Sequence, residues 1–269
     1  MFSPSKLERF KVSKEELEKL GNEFFSDAFP LVETLYNTSY WILLKKKNAS
    51  KIVKQTFLES IEYCNVTKNE ADWPSWIYRI WMREINSFYS TRENDIKTNF
   101  EFIDCAQMEL ENESANNNKK LFNINSNQLI KLLAGLPAVL RIPLIMKEVS
   151  SFNYEKISEL IDVPTGVAAT RIYRARKLLF LLSKGNFTFD EQKRNWEQKE
   201  STKIIFELRK VSLFVDNELN ELPNPGIELK NEIFIQQKTK EVLQNIFTSN
   251  FNSPSIKSKI ERKAKKKFS

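Results

Sequence analysis

The chain has 269 residues, 41% of them apolar, and a formal charge of +7, enough to bury one to three cores and basic enough to suit a polyanionic partner. Five glycines and nine prolines among abundant Lys, Glu, Leu and Phe argue against a many-stranded β fold and for an all-α chain. The absence of histidine removes the usual general base, the Ser–His and Cys–His nucleophile pairs and His-containing zinc sites, so no enzymatic chemistry, cofactor, metal or small-molecule substrate is expected.

The N-terminal stretch "MFSPSKLERFKVSKEELEKLG" has no apolar run behind its basic residues, and no window approaches 18 uninterrupted apolar residues, so a cytoplasmic protein with no membrane association is expected. Cys64 and Cys105 lie far apart and outside any C-x-x-C spacing, which fits two reduced thiols.

A first helical domain is expected over residues 1–94. Phe29, Val32, Tyr36 and Leu43 recur at helical spacing, as do Val53, Phe57, Ile61 and Cys64, so each set marks one amphipathic helix. After the polar stretch "NVTKNEAD" a third helix opens on "WPSWIYRIWMREINSFYSTRE", with Pro74 suited to a first turn. Its inward stripe is Ile77, Trp81 and Phe88, and its opposite face carries Arg79, Arg83 and Asn86. Residues 95–125 lose the periodicity in an Asn-rich run of mixed charge and read as a flexible linker.

A second domain is expected over residues 126–185. It opens on "NQLIKLLAGL" and a helix starting at Pro137. That helix contains Pro143, where a proline removes a backbone hydrogen bond at a cost of about 3 kcal/mol. Next comes "NYEKISELIDVPTGVAATRIYRARKLL". Asn153 suits the cap of a helix burying Tyr154, Ile157 and Ile161; Asp162 to Pro164 turn the chain, and Thr165 suits the cap of the following helix. In that helix Ala168, Ile172, Ala175 and Leu179 form a buried side, leaving Ala169, Thr170, Tyr173, Arg174 and Lys177 outward and Arg171 and Arg176 flanking. No acidic residue occurs from Pro164 to Ser183. A solvated basic face usually mixes in Glu or Asp, whereas a recognition helix offers side chains to base edges and arginines to phosphates.

The stretch from Leu133 to Leu179 resembles region 4 of sigma-70-type sigma factors of the extracytoplasmic-function class, through Leu136-Pro137, Arg141, Tyr154-Glu155, Ile157, Pro164, Gly166, Arg171 and Arg174-Ala175-Arg176. The first block is similar to region 2 of that class through Ala49, Val53, Thr56-Phe57-Leu58 and Trp76-Ile77-Tyr78-Arg79-Ile80. The resemblance implies two partners, core RNA polymerase and promoter DNA, and an anti-sigma factor as a third. It implies polymerase binding through Lys51, Lys54, Gln55 and Phe57. It also implies melted-strand capture by Arg79, Arg83 and Asn86, and duplex readout by Thr170, Arg171, Tyr173, Arg174, Arg176 and Lys177. Bases freed from the duplex stack on aromatics at roughly 1 to 3 kcal/mol each, which makes Trp73 a candidate platform.

The chain departs from that family in places. Ser50 and Lys51 stand where an acidic pair is usual, and Arg83 and Ser87 where Asn and Asp are usual. Ser50 and Lys51 leave open a second class of function, a helix-turn-helix regulator or sigma-like interaction protein that no longer binds core polymerase.

Beyond residue 185 a helical C-terminal extension is expected over 186–247, broken at Pro223 to Gly226. Its "SLFVDNELNEL" faintly resembles the start of zinc-binding anti-sigma domains, but no His or Cys follows Cys105, so a zinc site of that kind is ruled out. A metal-free regulatory domain and an unrelated helical extension both remain open. Residues 248–269 read as a basic tail, solvated and mobile, with nucleic-acid contact as the alternative.

Overall fold

A computed structural model describes residues 13–64, 72–90, 126–183, 202–220, 227–247 and 254–268. Among them every regular element is helical, as the composition required. The expected linker and Cys105 lie outside the described residues. The chain divides into two compact units, one of residues 1–40, 45–86 and 251–269, the other of residues 41–44 and 87–250.

In the first unit α1 (Lys14–Glu23) opens with a capping box: the Ser13 hydroxyl accepts the Glu16 N–H at 3.2 Å and the Glu16 carboxylate accepts the Ser13 N–H at 3.0 Å. These reciprocal bonds satisfy two backbone donors that a helix start otherwise leaves orphaned. A π-helical turn, Phe24–Ala28, leads on toward α2 (Leu31–Leu43), α3 (Lys46–Tyr63) and α4 (Trp73–Ser90). Phe24, Leu35, Val53, Phe57, Ile61, Ile77 and Trp81 have no exposed surface and make the core. The Trp81 indole N–H donates to the Ser39 hydroxyl at 2.8 Å, so the largest buried side chain of α4 has its one polar atom satisfied.

The basic C-terminus differs from the expected mobile tail. Residues 254–268 form a helix, α11 (Pro254–Phe268), that packs on α3 and α1. Its Ile256, Ile260 and Ala264 fall at i, i+4 and i+8 and are buried, a stripe the lysine-rich composition conceals. Phe268 meets Trp73 edge-on with ring centroids 6.4 Å apart and lies 5.7 Å from the Phe24 ring. A Cβ at Gly21 would stand 2.8 Å from the Phe268 Cβ, so only glycine lets the two helices approach this closely. Lys257 pairs with Glu33 at 2.5 Å.

In the second unit lie α5 (Ser126–Gly135), α6 (Ala138–Glu148), α7 (Tyr154–Ile161), α8 (Thr165–Ser183), α9 (Thr202–Val215) and α10 (Ile227–Phe247). α6 runs through Pro143 unbroken, with Pro137 as its cap. The buried Arg141 guanidinium donates to the carbonyls of Leu133 and Leu136 at 2.7 and 3.3 Å and so closes the end of α5. α8 runs through the middle of this unit, with α5, α6, α7, α9 and α10 all packed on it.

Candidate nucleic-acid interface

The α7–α8 pair is built by local chemistry. The Asn153 side chain accepts the Lys156 N–H at 2.8 Å, the expected cap. α7 ends at Asp162, whose φ of 53° is left-handed, a conformation that Asp tolerates and β-branched residues resist. The Val163 N–H then donates back to the Ser158 carbonyl at 3.1 Å. The Pro164 carbonyl accepts the N–H groups of Val167 and Ala168 at 2.8 and 3.1 Å, so α8 starts on Pro164. The Thr165 hydroxyl lies 3.3 Å from that of Ser158 and ties the two helices across the turn. Ala168, Ile172, Ala175 and Leu179 are buried, as their spacing predicted.

The expected outward face is the finding that differs. Ala169, Thr170, Tyr173 and Lys177 are all buried, with Tyr173 1% exposed. At 100° per residue, Gly166, Thr170, Tyr173 and Lys177 form one stripe opposite the Ala168–Leu179 side. α9 and α10 lie against that stripe. The Tyr173 ring clusters with Val211 and Val215 of α9, and Ile233 of α10 packs on them. The Tyr173 hydroxyl donates to the Glu232 carboxylate, the Lys177 ammonium donates to the same carboxylate at 2.9 Å, and the Gln236 amide donates to the Tyr173 carbonyl at 3.0 Å. A Cβ at Gly166 would meet the Arg209 side chain. The Thr170 hydroxyl turns back to the Gly166 carbonyl at 2.8 Å. Arg171 and Arg174, on the adjoining side, stay partly exposed, and Val167 is 40% exposed.

Arg176 is wholly buried and so differs from its expected place beside DNA. Its guanidinium donates to the Glu148 carboxylate of α6 at 2.5 and 2.8 Å and to the Asp216 carboxylate just beyond α9 at 2.8 and 3.0 Å. Burial opposes its charge, but Glu148 and Asp216 outweigh burial and hold its pKa above the ordinary arginine value. Burial raises the Glu148 pKa. Burial also pushes the Asp216 carboxylate upward, but Arg176 overcomes it and holds the pKa below the usual value. Asp216 also accepts from the Tyr154 hydroxyl at 2.5 Å and pairs with Lys240 at 2.9 Å. Glu218 accepts from the Lys147 ammonium and, at 3.3 Å, from the Tyr154 N–H.

The backbone between those two acids is specific. The N–H of Glu218 donates to the Leu213 carbonyl and that of Asn217 to the Phe214 carbonyl, with Asn217 left-handed at a φ of 59°. That is a Schellman ending, in which the left-handed residue is usually glycine and sometimes asparagine. It aims Asp216 and Glu218 at α6, α7 and α8. No local motif in the sequence marks either acid, or Glu232, as a site residue. The available signal was the "DNEL" run beyond a basic helix that holds no acid of its own.

In the first unit Arg79, Arg83 and Asn86 share one exposed face of α4. The Arg83 guanidinium pairs with Glu59 at 2.5 Å and Glu84 at 3.3 Å, and the Glu59 hydrogen bond raises its pKa. Trp73 is 8% exposed and packs edge-on to Phe24, so in this arrangement it belongs to the core. Lys51, Lys54 and Gln55 are exposed along α3, while Phe57 is wholly buried. Among the described residues no helix is long and apolar enough to cross a membrane.

Fold and site together define a helix-turn-helix protein with a second helical unit. The family model for sigma-70 region 4 matches residues 126–179. The chain is similar to the ECF RNA polymerase sigma-E factor of Haemophilus influenzae, 22% identical over 162 residues that cover 56% of this chain and 85% of the relative. It is also similar to the sigma-E factors of Salmonella typhimurium and Escherichia coli, each 23% identical over 137 residues covering 48% of this chain and 70% of the relative. No solved structure matches. The region 4 match over residues 126–179 and the sigma-E relatives together support an extracytoplasmic-function type of sigma-70 factor.

Proposed function

We propose that this sigma factor directs core RNA polymerase to promoters by reading duplex DNA with α8 and holding melted strand on α4. The observation that carries the reading is the α7–α8 pair, capped by Asn153 and turned at Asp162, within the segment that matches region 4. On α8, Thr170, Arg171, Tyr173, Arg174 and Lys177 are the readers, and Arg176 acts from inside by fixing α8 to α6. Such a helix sets its N-terminal residues against base edges while its cations neutralise phosphates, so affinity falls steeply with salt.

On α4, Arg79, Arg83 and Asn86 form the strand-facing surface. On α3 the exposed Lys51, Lys54 and Gln55 meet core polymerase, seated by the buried Phe57. Ser50 and Lys51 favour the second reading, a DNA-binding regulator without polymerase contact. Size-exclusion chromatography of the full chain with core RNA polymerase separates the two. Co-elution supports the sigma reading, and separate elution with retained duplex binding supports the regulator.

A further inference from the structure

We propose that the α9–α10 segment is an intramolecular inhibitor of DNA reading: it occupies the stripe of α8 that faces DNA, with the Glu232 carboxylate standing where a phosphate would. The proposal rests on the reading of α8 as the promoter-recognition helix.

The covered stripe lies on the side of α8 opposite the one packed on the rest of the helix-turn-helix, the side such a helix presents to a major groove. An α-helix lying against that stripe excludes the DNA, because a groove about 12 Å wide admits one helix of about 10 to 12 Å diameter and no second. The cover is also chemically matched. Lys177 and the Tyr173 hydroxyl, groups suited to phosphate, both bind one carboxylate oxygen each of Glu232, while the Tyr173 ring is taken up by Val211, Val215 and Ile233.

The segment is fastened away from the reading stripe as well. Ser212 meets the Tyr154 hydroxyl at 2.7 Å, and Asp216 and Glu218 grip Arg176, Tyr154 and Lys147. These are contacts to α6, α7 and the inner flank of α8. The cover is thus fastened at two places, over the Tyr173–Lys177 stripe through Glu232 and Ile233 and beside it through Ser212, Asp216 and Glu218, so a change at Glu232 or Ile233 disturbs the first and leaves the second in place. By contrast Lys51, Lys54 and Gln55 on α3 are exposed in the same chain. Inhibition therefore falls on duplex readout and spares the polymerase-binding helix.

The test compares the intact full chain with two full-length variants, Glu232→Lys and Ile233→Asp, which disturb the cover at a charged and an apolar point. A random-sequence duplex library is selected on each protein, and the enriched duplex is titrated by fluorescence anisotropy. Far-UV circular dichroism checks that each variant remains helical, and hydrogen exchange of the Ala168–Leu179 amides checks that α8 remains folded. The expected result is that both variants enrich one common motif and bind it at least tenfold more tightly than the intact chain. Equal affinity for intact chain and variants overturns the inhibitory role and leaves the promoter-reading assignment standing. Failure of all three folded proteins to enrich any motif overturns both.

Discussion

The Arg176 guanidinium reaches the Asp216 carboxylate at 2.8 and 3.0 Å across 40 residues of sequence, with no exposed side-chain surface on either. One end of this pair is anchored in α8 and the other lies just beyond α9, so the pair couples α8 to the α9–α10 segment packed on it. Removing one partner of a buried pair strands the other charge, which costs about 3–5 kcal/mol. Asp216→Ala is accordingly expected to destabilise the second unit by about that amount, read as a lowered urea midpoint of the full chain.

Tyr173 tests the chemistry of the cover more gently. Tyr173→Phe keeps the ring among Val211, Val215 and Ile233 and loses the bond to Glu232. The expected cost is about 0.5–1.5 kcal/mol, seen as a small drop in Tm with unchanged far-UV signal.

Ser39→Ala leaves the Trp81 indole N–H without its acceptor in a fully buried site. Stranding a buried donor costs about 1–3 kcal/mol. The loss is expected in the stability of the first unit, measured by tryptophan fluorescence during denaturation, with hydrogen exchange in α8 unchanged.

Two positions on α3 separate packing from partner binding. Phe57 is wholly buried, so Phe57→Ala is expected to cost about 3–5 kcal/mol of stability. Lys54 is exposed, so Lys54→Glu is expected to leave the Tm within about 0.5 kcal/mol equivalent of wild type while weakening co-elution with core polymerase.

Much of the fold was legible because its signals are local. The Asn153 cap, the turn at Asp162 and the Ala168–Leu179 stripe each follow from neighbouring residues, and each stands where the periodicity placed it. The helix over residues 14–23 carried a signal too, the Ser13–Glu16 capping box, but its polar composition hid it. What the sequence concealed was long-range. The outward face of α8 reads as solvent-facing or DNA-facing from its own letters, and only the pairing of Lys177 with Glu232, 55 residues on, reveals a partner within the chain. The C-terminal helix failed to stand out for a related reason. Its lysines dominate the composition, while Ile256, Ile260 and Ala264 are enough to seat it on the first unit.

The most direct measurement is transcription by reconstituted enzyme on a random-promoter library, with 5′-end sequencing of the transcripts. Core polymerase is combined in turn with the intact chain, with Ile233→Asp and with an Ile233→Asp, Arg174→Ala double variant. The intact chain and Ile233→Asp are expected to select the same start sites, with output at least tenfold higher for Ile233→Asp, and Arg174→Ala is expected to abolish the selection. Start sites that are the same with and without Arg174, or random with every protein, would contradict α8 as the promoter reader.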